Sequence, residues 1–168
     1  MLKNREQGCV YNTVYFSGNK NFPHDIKTQS GLTTLFNERV ISSQPVERPL
    51  EGPGGGKFGQ GGIAAANFVG IKTSYSGKND RATHSGSLVT TSDGKQYLVH
   101  KGDGFGKSSN TVVTDAKHMS SKWKPAGPTT NVAGRASISD FVKAGGKDYN
   151  VRGKNCHNAT SKMQNLGK

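Results

Sequence analysis

The chain has 168 residues, of which 31% are hydrophobic, and it contains 23 glycines. This length allows one domain with a core of its own, while the lean apolar content predicts that part of the chain is loop. No apolar run approaches the ~20 residues that a membrane-spanning helix needs. The N-terminus also lacks the apolar stretch of a secretory signal, so we expect a soluble protein and leave open an export without a visible signal.

The formal net charge of +12 is concentrated in the second half of the chain. Residues 76–168 carry 15 of the 23 Lys and Arg residues but only 6 of the 11 Asp and Glu residues. A surface of this charge attracts polyanions such as nucleic acid, anionic lipid or cell-wall polymers. We therefore expect an anionic target, with a basic surface that has no charged target as the alternative.

Residues 1–62 predict an irregular N-terminal arm and linker, because they show little hydrophobic periodicity. Cys9–Phe16 alternates weakly and predicts a strand, whereas Gly31–Ile41 fits a short helix or a strand equally well. The Gly-rich stretch 49–62 predicts a flexible linker. It does not match a phosphate-binding loop, because an aromatic residue instead of Ser or Thr follows Lys57.

Residues 63–168 predict a compact domain of short strands and helices. Its predicted elements are a helix running into a strand over Ile63–Tyr75, a hairpin over His84–His100, a strand over Thr111–Asp115, a turn or one helical turn over Lys117–Trp123, a helix over Ser137–Ala144, a strand over Tyr149–Arg152 and a final helix that begins near Cys156. We therefore predict an α+β fold in which a small antiparallel sheet packs against the cysteine-bearing helix.

The hairpin carries a histidine at each end. Ser92-Asp93-Gly94 suits a three-residue loop, a type I turn followed by glycine in the left-handed conformation. That loop sets His100 opposite Gly86 and puts His84 on the same face, diagonal to His100, at a Cα distance of ~7–8 Å. A two-residue turn would shift the register by one residue and send the two histidines to opposite faces.

The final helix has a cysteine in its first turn. Asn155 is a good N-cap, and apolar residues then recur at helical spacing, namely Cys156, Ala159, Met163 and Leu166. A helix N-terminus and a nearby imidazole both lower the pKa of a thiol, which would make Cys156 a nucleophile near neutral pH. The alternatives are a small buried core residue or a disulfide with Cys9 in an oxidising compartment.

The order of a histidine, a short hairpin, a second histidine and a distal Asn-Cys that opens a helix resembles the circularly permuted papain-like class. This class is the permuted NlpC/P60 group, which includes lecithin:retinol acyltransferase-like proteins. The resemblance covers roughly residues 82–166, and it departs from the usual pattern at His157-Asn158, where Glu-His is typical.

The resemblance implies a permuted papain-like fold with a catalytic triad. Cys156 would be the nucleophile, His84 its base and His100 the group that orients the base. Asn155 would be the orienting residue beside the oxyanion donor, the Cys156 amide. Such a site hydrolyses an amide or ester, or transfers the acyl group, and needs no cofactor or metal; cell-wall peptides fit the cationic chain best and acyl lipids second.

The same residues are also compatible with two other functions. A basic nuclease or nucleic-acid-binding toxin would use His84 and His100 as an acid–base pair and its cations on phosphates. A non-catalytic binding domain would carry the same residues as a degenerate site. A zinc site of His84, His100 and Cys156 is disfavoured, because no closely spaced ligand pair supports it; His118 and His157 are expected at the surface.

Overall fold

The structure is a computed structural model, and it describes residue 26 and residues 28–50, 72–77, 82–101, 111–150 and 152–168. Its elements are helix α1 (Gln29–Asn37), strands β1 (Arg39–Pro49), β2 (Thr83–Thr91), β3 (Gln96–Lys101), β4 (Thr111–Asp115), β5 (Lys124–Pro125) and β6 (Thr130–Ser137), and helices α2 (Ile138–Gly145) and α3 (Cys156–Gln164). The predicted α+β class with a small antiparallel sheet is confirmed.

Strand β1 is the hub of this sheet. The strand order is β4-β3-β2-β1-β5, and β6 also pairs with β1. One edge of β1 therefore pairs with β2, while β5 and β6 share the other edge, β5 beside Glu47 and β6 beside Val40. The register shifts between Val40 and Ser42, where the side chain of Ile41 is 40% exposed, as is common at a bulge.

This hub lies in the region that the sequence predicted to be irregular, and the structure corrects that prediction for residues 28–50. These residues form α1 and β1, so Gly31–Ile41 contains both a helix and the start of a strand. The strand lacks hydrophobic alternation because several of its buried side chains are polar. Glu47 is only 7% exposed and accepts hydrogen bonds from Ser74 (3.1 Å) and Thr83 (3.0 Å). Buried polar groups that are paired in this way are tolerated in a core.

The apolar core lies between the helices and one face of the sheet. Its cluster of buried side chains consists of Leu35, Val40, Val89, Tyr97, Val99, Val113, Val132, Ala136, Ile138, Phe141, Ala159 and Met163. Helices α2 and α3 contact each other and the sheet, and α1 reaches the cluster through Leu35. No helix in the described part of the chain is both long and apolar enough to cross a membrane.

Helix α2 is fixed at both ends by polar side chains. Asp140 accepts hydrogen bonds from the Ser137 amide (2.9 Å) and hydroxyl (2.8 Å) at its start. At its end, Lys101, which is 2% exposed, donates from Nζ to the carbonyls of Gly145 (2.7 Å) and Gly146 (2.9 Å). Burial lowers the pKa of Lys101 to about 8, but a cation at a helix C-terminus is still favoured by the helix dipole.

Other predicted elements have mixed outcomes. At the predicted strand Tyr149–Arg152, Asn150 makes only an isolated bridge to Lys154, and residue 151 lies outside the described residues. Of the predicted helix and strand over Ile63–Tyr75, only residues 72–75 are described, and they form neither helix nor strand. The predicted strand at Cys9–Phe16, most of the Gly-rich linker and the domain boundary at residue 62 lie outside the described residues.

The fragment 63–168 tests the role of β1. Because this fragment lacks the strand that pairs with β2, β5 and β6, we expect it to show no cooperative thermal unfolding, while the full chain melts in one cooperative transition. Circular dichroism and calorimetry of both would measure this. A fragment that melts cooperatively near the melting temperature of the full chain would contradict the central position of β1.

Candidate active site

Two histidines meet at the open end of the β2–β3 hairpin. The turn has the predicted three-residue geometry, since Thr91 N donates to Lys95 O at 2.9 Å and Gly94 has a φ of 81°. In this register His84 and His100 lie on the same face of the sheet, as predicted. The His84 Nε2 and His100 Nδ1 atoms are 3.0 Å apart, with the ring planes at 86°.

Gly86 makes room for this contact. It lies directly opposite His100 in the β2–β3 ladder. A Cβ at position 86 would lie 2.8 Å from the Cβ of His100 and 3.0 Å from the carbonyl oxygen of Val99. Since carbon atoms in proteins do not approach so closely, any larger residue at position 86 would displace His100 or the end of β3.

An aromatic and a guanidinium group flank the histidine pair. The Trp123 ring centroid lies 5.7 Å from that of His84 and 6.1 Å from that of His100. The Cζ atom of Arg48 lies 5.5 Å from the centroid of the Trp123 ring, within cation–π range. Arg48 pairs directly with His84 across the β1–β2 ladder, so the charge of Arg48 is held beside the imidazole.

The surroundings keep His84 neutral. Burial lowers the pKa of His84 well below its usual value, and the charges of His100, Arg48 and His157 lower it further. A neutral imidazole has one N–H and one bare nitrogen. The hydrogen bond to His100 therefore decides which nitrogen of His84 is available as a base.

Cys156 is the first residue of helix α3, and the side chains of Asn155 and Asn158 cap the start of this helix. The Asn155 side chain accepts from the Asn158 amide at 3.0 Å, and the Asn158 side chain accepts from the Asn155 amide at 3.3 Å. Asn155 Nδ2 also donates to the Lys72 carbonyl at 3.1 Å. Asn155 is thus the N-cap of this helix, as predicted, and the Cys156 thiol in the first turn is free and 6% exposed.

The thiol lies in a polar but buried environment. Burial raises the pKa of Cys156, and this outweighs the hydrogen bonds that lower it, which come from the amides of Ser85, His157 and Cys156 and from the Ser85 hydroxyl. The sequence predicted a lowered thiol pKa from the helix N-terminus. That prediction is wrong in its net direction, because the cost of placing a thiolate in a buried site exceeds the stabilisation by the helix amides.

His157 was predicted at the surface, and this prediction is wrong. Its side chain is 2% exposed, and Nδ1 lies 2.9 Å from Ser85 Oγ. Burial and the charge of Lys72 lower the pKa of His157 to about 4, against the opposing effects of Glu47 and of hydrogen bonds to the Thr73 and Thr83 carbonyls. His157 is therefore a neutral, hydrogen-bonded group in the interior.

A polar stripe along α3 is the signal that could have revealed this. Three polar residues of α3 recur at the spacing of one helix face, face the sheet and are at most 6% exposed: His157, Thr160 and Gln164. They meet serines of β1 and β2: Ser85 Oγ lies 3.0 Å from Thr160 Oγ1, and Gln164 Nε2 donates to Ser43 (2.8 Å) and Ser87 (3.0 Å). We call this set of hydrogen-bonded side chains the polar seam.

The two halves of the site meet at consecutive residues of β2. His84 faces Trp123, whereas Ser85 faces α3, because neighbouring side chains of a strand point to opposite faces. The Ser85 amide, however, points at the Cys156 thiol. The structure thus joins His84 to His100 and Cys156 to Ser85; within the described residues no hydrogen bond joins the thiol to the His84 ring.

Comparison with protein-family models, with curated proteins and with solved structures found no match for the chain. In the described part of the chain, no group of three or more His, Cys, Asp or Glu side chains could hold a metal ion.

Gly86→Ala should separate the two imidazoles. We expect the added methyl group to push His100 away from His84, and therefore to change the ring nitrogen chemical shifts of both histidines in NMR spectra. Gly153→Ala is the control, because nothing lies within 4 Å of a Cβ at position 153. Unchanged His84 and His100 shifts in Gly86→Ala would contradict the close approach.

The buried histidines should make the fold acid-sensitive above the range of carboxylate titration. The pKa of His157 falls from 6.5 to about 4 on folding, so the unfolded chain binds a proton there that the folded chain does not. Stability contributed by His157 is complete above pH 6.5 and is lost as the pH falls towards 4, by roughly 3 kcal/mol.

Melting temperatures at intervals between pH 7 and 4.5 would measure this loss. His157→Gln keeps a polar side chain but removes the titrating group, so its melting temperature should fall less over the same interval. Equal pH dependence of the two proteins would show that His157 does not titrate as described.

Proposed function

We propose that this protein is a cysteine-dependent hydrolase or acyltransferase of the permuted papain-like kind, with Cys156 as nucleophile. The observation that carries the proposal is the convergence at consecutive residues of β2. His84 hydrogen-bonds His100, and the amide of the next residue, Ser85, points at the thiol of Cys156. Three side chains distant in the sequence thus gather around one short stretch of backbone.

The hydrogen bond between the histidines supports the role of base for His84. If Nε2 of His84 carries the proton and donates to His100 Nδ1 over the observed 3.0 Å, Nδ1 of His84 is bare. Nδ1 is the ring nitrogen nearer to the backbone, and the thiol lies against the backbone amide of the following residue. His100 then acts as the third member of a triad, which fixes the tautomer and the orientation of the base.

The mechanism starts from a neutral pair. Burial raises the pKa of Cys156 and lowers that of His84, which favours the neutral thiol and the neutral imidazole over the ion pair before substrate binds. Sγ would attack the carbonyl carbon of an ester or amide while its proton passes to Nδ1 of His84. This transfer requires Sγ and Nδ1 of His84 to come within hydrogen-bond distance in the substrate complex, where catalytic hydrogen bonds often tighten.

The backbone can stabilise the charge that develops. As Sγ bonds to carbon, the carbonyl oxygen becomes negative beside the start of α3. The Cys156 amide, which is directed at the sulfur in the free protein, is then close enough to act as an oxyanion donor. The imidazolium of His84 returns its proton to the leaving group, and water or another acceptor releases the acyl group.

The same hydrogen bond disfavours the nuclease alternative. An acid–base pair in phosphoryl transfer acts on the attacking and the leaving oxygen, which lie on opposite sides of phosphorus. Nitrogen atoms 3.0 Å apart leave no room for a phosphoryl group between them. The direct contact instead suits one base and its orienting partner.

Charge supports an anionic target near α3. The exposed side chains of Lys72, Lys154 and Lys162 lie on or beside this helix, and Lys72 Nζ is within 3.3 Å of Ser161 Oγ. Cations around an active site raise the local concentration of negatively charged substrate. Cell-wall peptide amides are our first choice, and acyl lipids our second.

Acylation of Cys156 tests the proposal. We expect an activated ester such as p-nitrophenyl acetate to leave one acyl group on Cys156, detected by mass spectrometry of the intact protein and its peptides. Cys156→Ala should abolish it, and His84→Ala should slow it by at least about a hundredfold, which is the low end for loss of a general base. Cys9→Ala is the matched control and should react like the parent.

Two results would overturn the proposal. If Cys156 is no more reactive than free cysteine and His84→Ala does not change its rate, the buried thiol is a core residue of a non-catalytic domain. If the protein cleaves nucleic acid and Cys156→Ala leaves that cleavage intact, the nuclease alternative holds instead.

A further inference from the structure

Among the described residues, the Ser85 hydroxyl is a group that acts on both the Cys156 thiol and the buried His157 imidazole. Its side chain is 0% exposed. Ser85 Oγ lies 2.9 Å from His157 Nδ1 and 3.0 Å from Thr160 Oγ1, and hydrogen bonding by the same hydroxyl is one of the effects that lower the pKa of the Cys156 thiol. A hydroxyl has a single proton, so only one of these three neighbours can receive it at a time.

Proton counting shows which neighbour receives it while the thiol is protonated. The Thr160 hydroxyl donates to the Cys156 carbonyl at 2.9 Å. The His157 ring hydrogen-bonds the carbonyls of Thr73 and Thr83, and carbonyls only accept. With Nδ1 in contact with Ser85, it is Nε2 that carries this proton, so Nδ1 and Thr160 Oγ1 can both only accept from Ser85. A bare imidazole nitrogen is a stronger acceptor than a hydroxyl oxygen, so the Ser85 hydroxyl donates to His157.

Ionisation of the thiol changes the preferred acceptor. A thiolate is negative and accepts a hydrogen bond more strongly than a neutral imidazole does. The hydroxyl can turn to the sulfur by rotation about the Cβ–Oγ bond, while the buried heavy atoms stay in place. The thiol proton itself goes to the base, and the Ser85 proton stays on Ser85, so the proton count balances.

We propose that Ser85 and His157 are positioning residues for Cys156: the Ser85 hydroxyl rests on His157 Nδ1 while sulfur is protonated and turns to sulfur when the thiolate forms. The proposal deepens the proposed function and rests on it, because a stabilised thiolate matters only if Cys156 reacts. Other groups that act on this pair are Tyr149 at the thiol and Lys72 and Glu47 at the imidazole.

Ser85→Ala against Ser87→Ala is the mutational test. Ser87 is the matched control, because it is also 0% exposed on β2 and also hydrogen-bonds α3, through Gln164 at 3.0 Å, but two residues away from the thiol. The readout is the pH dependence of alkylation by iodoacetamide together with the ultraviolet absorbance of the thiolate.

We expect Ser85→Ala to raise the apparent thiol pKa by about one unit, which is tenfold less thiolate at a given pH below it. Ser87→Ala should leave that pKa unchanged, even if both variants lose similar stability. Ser85→Thr keeps the hydroxyl and should restore the parent value. Equal thiol pKa values in Ser85→Ala and Ser87→Ala would overturn the proposal.

A second measurement needs no substitution. If the hydroxyl leaves His157 on ionisation, the ¹⁵N shift of His157 Nδ1 in the parent protein should change with the same midpoint as the thiolate absorbance. A His157 signal that stays constant through that midpoint would also overturn the proposal.

Neither readout depends on acylation, so the two proposals fail separately. Slow acylation that is insensitive to His84→Ala would end the proposed function even if Ser85 still sets the thiol pKa. Conversely, fast acylation of Cys156 together with equal thiol pKa values in Ser85→Ala and Ser87→Ala would overturn only the positioning role of Ser85 and His157.

Discussion

The hydrogen bond between His84 and His100, 3.0 Å long, is the contact on which the proposed chemistry depends. It exists because a three-residue turn with a left-handed glycine fixes the pairing of β2 with β3, and because Gly86 has no side chain that would hold His100 away. The Trp123 ring then packs beside both imidazole rings. None of these conditions involves the cysteine, so the hairpin and Trp123 assemble the proposed base and its proposed orienting partner, and helix α3 places the thiol near the start of β2.

The polar seam explains how α3 is held at one position on the sheet. Apolar contacts alone would let a helix slide on a sheet, because the hydrophobic effect is non-directional. A slide of α3 by one turn would leave His157, Thr160 and Gln164 without their serine partners, and each buried polar group that loses its partner costs about 1–3 kcal/mol. The polar seam thus holds the helix, and Cys156 with it, in one register. Within the seam, the buried side-chain oxygen of Gln164 has no hydrogen-bond partner among the described atoms.

The features that the sequence revealed are those set by neighbours in the chain. The turn at Ser92–Gly94 determines the hairpin register, and the caps at Ser137 and Asn155 determine where α2 and α3 begin. The features that it concealed depend on partners far away. His157 is buried because of Ser85, 72 positions earlier, and β1 is a central strand because its polar residues are satisfied from other elements. Burial also reversed the direction of the thiol pKa, since a local dipole argument contains no measure of solvent exclusion.

The placement of His84 and Ser85 on opposite faces of β2 restricts how this protein can evolve. One residue inserted between the turn and this pair would exchange the two faces, so that the serine would meet Trp123 and the histidine would meet α3. Both proposed functions of the strand would be lost at once. An insertion of two residues between the turn and His84 would keep both side chains on their present faces, whereas an insertion of one would not. Homologues that share the proposed site are therefore expected to differ in the length of this segment by even numbers of residues.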